Sequence, residues 1–245
     1  MKMPEAVVQV EELRRSFGDF VAVNDIRFTV YKGEIFGFLG ANGAGKTTTI
    51  RMLCGLLPAT SGRGTVSGLD IHRQRAQIKT KIGYMSQKFS LYPDLKVIDN
   101  LYFYGRLYRL RDAAIVTRLA ALQEFLPHND IKTQLTRDLP LGRKQMVALL
   151  AALLHDPPII FLDEPTSGVD PLGRRAFWQV IRNFAAAGKT VFVTTHFMEE
   201  AEYCDRISIM HHGDIIALDS PEQLLSQYGV GSVQDLFLTL IRDAG

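Results

Sequence analysis

The sequence predicts an α/β fold: a mainly parallel sheet covered by helices, with an antiparallel sheet from the N-terminal strands and an inserted helical segment. Three observations carry this. Apolar runs such as "EIFGFLG", "IIFLDE" and "TVFVTTH" alternate with helix-length segments, as strands buried on both faces do. Near the N-terminus, Ile26-Arg27-Phe28-Thr29-Val30 alternates apolar and polar instead, which marks a half-buried antiparallel strand. From about Asp94 to Pro140 the strand-like runs give way to helical sequence.

In chain order, "AVVQVEEL" and "FVAVNDIRFTVY" read as strands, and "EIFGFLG" as a buried strand ending in glycine. A helix near Lys46–Gly55, a strand "GTVSG", a helix near Arg73–Thr80 and a strand "KIGYMSQ" continue as alternating units. Val97 to Leu126 is mostly helical. Met146 to Leu154 is one apolar run closed by His155-Asp156 and two prolines, a buried helix that Pro140 can open at its first position. "IIFLDE", a helix near Leu172–Ala187, "TVFVTTH" and a helix near Met198–Tyr203 follow. The hairpin "RISIMHHGDIIAL", turning at His211-His212-Gly213-Asp214, and a helix near Pro221–Tyr228 come last. The chain reads as one domain, 1–245, in which about 94–140 is a helical subdomain set between 1–93 and 141–245.

With 245 residues, 47% apolar and 22% charged, the chain can bury a real core. Its net charge of +2, from 28 basic and 26 acidic residues, gives no broad field for a nucleic-acid backbone, so no nucleic-acid partner is expected. Phosphate must be held locally. Cys54 and Cys204 lie far apart without metal-ligand spacing and read as reduced core thiols of a cytosolic protein. "MKMPEAVVQV" has no signal-peptide core, and no apolar run nears the roughly 20 residues of a spanning helix. A membrane, if one matters, is supplied by a partner.

The chemistry concentrates in three places. Gly40-Ala41-Asn42-Gly43-Ala44-Gly45-Lys46-Thr47 is an eight-residue phosphate loop between a strand and a helix. Its glycines let N–H groups turn onto an anion, Lys46 reaches the outer phosphates, and Thr47 offers a hydroxyl to Mg²⁺. "PPIIFLDEPTSGVD" brings Asp163 and Glu164 to the ligand-binding end of a central strand. Facing opposite ways, Asp163 would hold the metal and Glu164 would polarise the attacking water; the plainer reading is an acidic pair capping a turn. His196 ends another central strand, where it can touch the terminal phosphate, while the other histidines, such as His72 and the turn pair, read as surface residues.

The phosphate loop, "MSQ", "LPLGRKQ", "FLDEPTSGVD" and "TTH" resemble, in order and spacing, the ATP-binding cassette of ABC transporters, a P-loop NTPase fold. The likeness covers nearly the whole chain and is strongest, through "DEPTSGVDP" and "THFMEEAEYCDRI", to cassettes of bacterial drug-exporting systems. It implies ATP and Mg²⁺ as cofactors, with Gly40, Asn42, Gly43, Ala44, Gly45, Lys46, Thr47 and Thr48 around the phosphates. It further implies Phe17 stacked on adenine, and Gln87 at the metal edge with Thr47 and Asp163. Glu164, His196, Lys46 and Gln87 would be the catalytic set, and Asp170, with Ser167 and Gly168, would cross to a second cassette. The partners implied are a transmembrane permease and that second cassette, at the cytoplasmic face of the inner membrane.

One stretch departs from the family. Its Leu-Ser-Gly-Gly-Gln signature corresponds here to Leu139-Pro140-Leu141-Gly142-Arg143, at a helix start that would face a partner's ATP. Proline removes a hydroxyl and an N–H, Gly142 keeps its N–H, and Arg143 either attracts phosphate or is a solvated helix residue. A complete phosphate loop beside an altered signature suits pairing with a different cassette, as in the second half of a tandem exporter ATPase. Two other readings stand beside the transporter motor: a cassette ATPase of translation or DNA repair, and a regulatory cassette that has lost turnover. The aromatics near Tyr92, Tyr102, Phe103, Tyr104 and Tyr108 would either dock the permease or fill the subdomain core.

Overall fold

The computed structural model describes residues 5–87, 91–125 and 129–244, so Leu126, the expected end of the helical region, lies outside the described residues. β1 (Ala6–Phe17) and β2 (Phe20–Tyr31) form an antiparallel hairpin with Val10 opposite Phe28 and Leu13 opposite Ile26. β3 (Ile35–Leu39), buried at every position, leads through the phosphate loop into α1 (Lys46–Leu53). Next come β4 (Ser61–Val66) and β5 (Leu69–Asp70). Here the structure corrects the sequence reading, because "GTVSG" is no unit of the parallel sheet. β4 pairs antiparallel with β1, Val66 opposite Val8, and Ser67 and Gly68, both at positive φ, turn it back into β5. Only Gly64 and Val66 of β4 are buried, so it has one apolar face to cover and needs no second layer.

α2 (Arg75–Lys81), β6 (Ile82–Met85), α3 (Val97–Leu107), α4 (Asp112–Ala121), α5 (Leu141–Leu153) and β7 (Ile159–Asp163) follow. α6 (Pro171–Ala186), β8 (Thr190–Thr195), β9 (Arg206–His211), β10 (Asp214–Asp219), α7 (Pro221–Tyr228) and α8 (Val233–Ala244) complete the described chain. Met198–Tyr203 is a 3-10 helix. α8 had no counterpart in the sequence reading, although Val233, Leu236 and Leu240 recur at helical spacing and all three are buried.

Among the described residues the strands form two sheets, ordered β2-β1-β4-β5 and β10-β9-β3-β8-β7-β6. The second is parallel apart from its edge strand β10. Between the sheets, Phe28 of β2 lies 5.7, 5.3 and 6.1 Å, ring to ring, from Phe36, Phe38 and Phe192. Each such buried ring stabilises the fold by about 1.5–3 kcal/mol, which fixes how the strand ends line up. The other apolar cluster gathers α5, α6 and α8 on the opposite side of the parallel sheet.

The helical segment is fastened to the core through α5. Arg118 of α4 donates to the Leu154 carbonyl at 3.2 Å and to Asp156 at 2.8 Å. His155 is not the surface residue expected of the remaining histidines: it stacks on Tyr108 at 3.8 Å and bonds the Ile82 carbonyl at 3.0 Å. Burial holds this imidazole below its ordinary pKa; Lys189 and Arg118 add to the shift, while the Ile82 bond and Asp156 oppose it. The folded state therefore binds the proton less readily than the unfolded chain does. Its contribution is complete above the ordinary histidine value and is lost as pH falls through the depressed one. Between about pH 7.5 and 5.5, the melting temperature of the parent should drop a few degrees more than that of His155→Phe, which keeps a stacked ring without the titration. Parallel melting curves would remove this role.

The aromatic set divides. Tyr92 and Phe103 are exposed and meet edge to face at 4.9 Å, whereas Tyr102 and Tyr104 pack on the core and Tyr108 covers His155. Cys54 and Cys204 are buried free thiols. No helix among the described residues is long and apolar enough to cross a membrane.

Candidate active site

The phosphate loop is clamped from behind. Gly45 sits at φ +107, and a Cβ there would lie 2.5 Å from the Ala22 carbonyl; a Cβ on Gly40 would strike the Met210 carbonyl. The Gly213 N–H, in the turn between β9 and β10, donates to the Ala44 carbonyl at 3.1 Å. The loop thus has β2 and the β9–β10 hairpin as rigid backing. Within it, Lys46 is 4% exposed and its amine donates to the Gly40 and Ala41 carbonyls at 2.7 and 3.0 Å. Burial lowers its pKa, and the attraction of Glu164, whose Oε1 stands 3.5 Å away, works against that shift.

At the end of β7 the two carboxylates part. Asp163 Oδ1 accepts from the Thr47 and Thr194 hydroxyls at 2.9 and 2.8 Å. Its Oδ2 is buried and has no partner among the described residues. Burial raises this carboxyl above the usual range, and the two hydroxyl bonds hold it back. A buried, orphaned carboxylate oxygen beside a threonine hydroxyl fits a hard divalent cation, which takes oxygen ligands and would favour the ionised form. Glu164 adopts φ +48, a left-handed conformation that swings it out of the strand line; its N–H donates to both the carbonyl and the hydroxyl of Thr194. Its Oε2 receives the Gln87 amide at 3.0 Å and lies 3.2 Å from His196 Nδ1.

A cleft of about 310 Å³ opens on these groups, lined by Phe17, Phe20, Ala22, Asn42, Gly43, Gly45, Lys46, Thr47, Thr48, Gln87 and Glu164. Phe17 is 47% exposed with the Arg15 guanidinium 4.4 Å from its ring centre, so one face is covered. Gly40, Ala44, Asp163 and His196 stand behind or beside this cleft rather than on its wall. The sequence reading missed Phe20, Ala22 and Thr194. An exposed phenylalanine three residues from Phe17 was a visible signal; the hydroxyl of a strand interior was not.

Pro140, Gly142, Arg143 and Asp170 are absent from this cleft and line another, of about 530 Å³, between α5 and α6. Pro140 is the N-cap of α5 and Leu141 the first helical residue, which corrects the expected placement of proline at the first position. Its missing N–H therefore lies outside the helix, and what proline withholds there is a side-chain oxygen to cap it. The N–H groups of Leu141, Gly142 and Arg143 have no carbonyl one turn back, while Lys144 N–H donates to the Pro140 carbonyl at 3.0 Å. Asp170 caps α6, accepting from Gly173 N–H at 2.9 Å. Its carboxylate is engaged within its own helix.

Fold and site together are those of a P-loop nucleotide-binding domain. Residues 23–167 match the family model described as "ABC transporter". An Escherichia coli protein named "Probable multidrug ABC transporter ATP-binding protein YbhF" is 46% identical over 244 residues, covering 98% of this chain and 42% of that protein. The chain thus spans less than half the length of that relative. "Linearmycin resistance ATP-binding protein LnrL" of Bacillus subtilis is 37% identical, covering 97% of this chain and 77% of its own length. A solved ATP-binding subunit of an ABC transporter superposes with a TM-score of 0.85 at 26% identity, covering 96% of this chain and 99% of that one. The chain belongs to the ABC transporter family, as an ATP-binding cassette. Cassettes of this family are the ATPases that power transport, and they work with transmembrane permease components.

Proposed function

We propose that this chain hydrolyses ATP in the presence of Mg²⁺ to drive a permease that exports drugs or other hydrophobic compounds. The observation that carries the reading is the division of labour at the end of β7: Asp163 bonds Thr47 through Oδ1 and leaves Oδ2 without a partner among the described residues, while Glu164 turns the other way, toward Lys46, Gln87 and His196. Asp163 and Thr47, with Gln87 at the edge, would hold Mg²⁺, which would neutralise phosphate charge when bound. Phe17 would stack the adenine on its open face, and the loop amides from Gly40 to Thr48, with Lys46, would take the phosphates. Glu164 accepts a proton from water as the water oxygen bonds the terminal phosphorus and the bridging P–O bond to ADP breaks; His196 steadies the transferring group.

The α5–α6 groove, with Gly142 and Arg143 at its mouth and Asp170 on its wall, is what this chain offers to the ATP of a second cassette. We assign residues 94–140 to a helical unit that meets the permease, 1–93 and 141–245 to the catalytic core, and the whole to the cytoplasmic face of the inner membrane. The two multidrug and linearmycin-resistance relatives favour export. The 42% coverage of the Escherichia coli relative leaves room there for a second unit of this size, which favours a tandem or heteromeric partner. A regulatory cassette with little turnover is the second reading, and Pro140 is what favours it.

Pro140→Ser separates the two. Serine at this N-cap restores a capping oxygen, worth about 1 kcal/mol of stability, and a hydroxyl able to meet phosphate. The variant alone should melt higher, self-associate more with ATP, and turn over roughly tenfold faster. If it melts higher but hydrolyses no faster than the parent, the account of Pro140 fails. If neither chain hydrolyses ATP with or without a partner, the regulatory reading replaces the motor.

A further inference from the structure

Glu200 has no part in the chemistry so far, yet it is 1% exposed. A carboxylate in that position is costly, and an apolar side chain of its size would suit the core better. Its Oε1 accepts a 2.7 Å hydrogen bond from the hydroxyl of Thr166, itself 1% exposed. Oε2 is buried without a hydrogen-bond partner among the described residues. The two residues come from different segments. Thr166 lies two positions after Glu164, and Glu200 four after His196, on the 3-10 helix that follows β8. Arg174 of α6 joins them: its Nε is 4.0 Å from Glu200 Oε1, and its guanidinium lies 4.0 Å from the ring centre of Phe197, the neighbour of His196. The Arg174 N–H in turn donates to the Asp170 carbonyl at 2.9 Å.

We propose that Glu200 is a positioning residue for hydrolysis: through Thr166 it fixes the segment that swings Glu164 out of β7, through its own turn it fixes His196, and through Arg174 it ties that pair to the Asp170 segment. The 3.2 Å approach of His196 to Glu164 is then set by a brace on the far side of both. This inference rests on the reading of Glu164 and His196 as hydrolytic residues. It also explains a buried charge: a carboxylate, unlike a leucine, can accept from a hydroxyl and attract a guanidinium, here 4.0 Å away and without a hydrogen bond between them among the described residues.

Thr166→Val removes the hydroxyl at nearly constant volume, and Thr166→Ser keeps it. With the full chain, saturating ATP and Mg²⁺, Thr166→Val should lose about tenfold in kcat, the rate equivalent of about 1.4 kcal/mol, with KM for ATP unchanged. Thr166→Ser should stay close to the parent. In chain labelled at histidine, the His196 ring signals should move in Thr166→Val and stay in place in Thr166→Ser. In combination with Glu200→Met, which removes the acceptor, Thr166→Val should lose little more than it does alone, because the two act through one bond. Parent kcat together with parent His196 signals in Thr166→Val would overturn the proposal. If Thr166→Val melts below the assay temperature, Glu200→Met decides alone, since it keeps a side chain of similar length and removes both acceptor oxygens; parent turnover and parent signals there would be equally fatal. Absence of hydrolysis by the parent would count against the motor reading, while the histidine signals would still decide on the brace.

Discussion

Glu164→Gln is expected to keep ATP bound and to lose hydrolysis by a factor of roughly 10² to 10⁴, the usual contribution of a positioned general base. Glutamine preserves the packed shape at φ +48 and can still meet Gln87 and His196, so the fold should be unaffected. What disappears is the group able to take a proton from water. The exchange also frees Lys46 from the carboxylate 3.5 Å away and removes a negative charge from beside the incoming phosphates. ATP should therefore bind more tightly as turnover falls, and filter binding beside a single-turnover assay reads both. Undiminished hydrolysis would remove Glu164 from its role.

Lys46→Met should have the opposite signature, with affinity lost first. Among the described residues lining the phosphate-loop cleft the amine is the only cationic side chain, and it reaches that position through two carbonyl bonds. A charge-assisted contact to phosphate is worth about 3 kcal/mol at most, so ATP affinity should fall up to about a hundredfold. Melting temperature should change little without nucleotide, because the parent already bears the desolvation of that amine. Nucleotide titration and thermal melts of the same variant check both halves. An unchanged ATP affinity would mean that the loop binds its ligand through backbone amides alone.

The residues of the site differ in how they could be found. Lys46 and Glu164 lie in contiguous runs whose chemistry depends on spacing along one loop or one strand, and such runs are legible directly. Thr194 is not, because its value to Asp163 comes from the parallel register that sets it opposite that carboxylate on the neighbouring strand. Thr166 and Glu200 were hidden for the same reason, 34 residues apart in sequence and hydrogen-bonded in space. The fold divided similarly. Central strands announced themselves by uninterrupted apolar runs, but β4 holds two small glycines and a single valine, too weak a pattern to say which sheet it joins. Its half-buried alternation was the available clue. Pro140 was misplaced by one position because proline is tolerated at the first turn of a helix, and only backbone angles, here φ −57 and ψ 151, distinguish the cap from that turn.

The grip of Arg118 on the end of α5 has a mechanical consequence. That helix has 13 residues and so spans about 20 Å, with the guanidinium holding one end and Gly142 at the other. A stiff rod held at its tail transmits rotation rather than absorbing it. A load that shifts α4 would therefore reach α5 at its C-terminal end, one helix length from the amides of Leu141, Gly142 and Arg143.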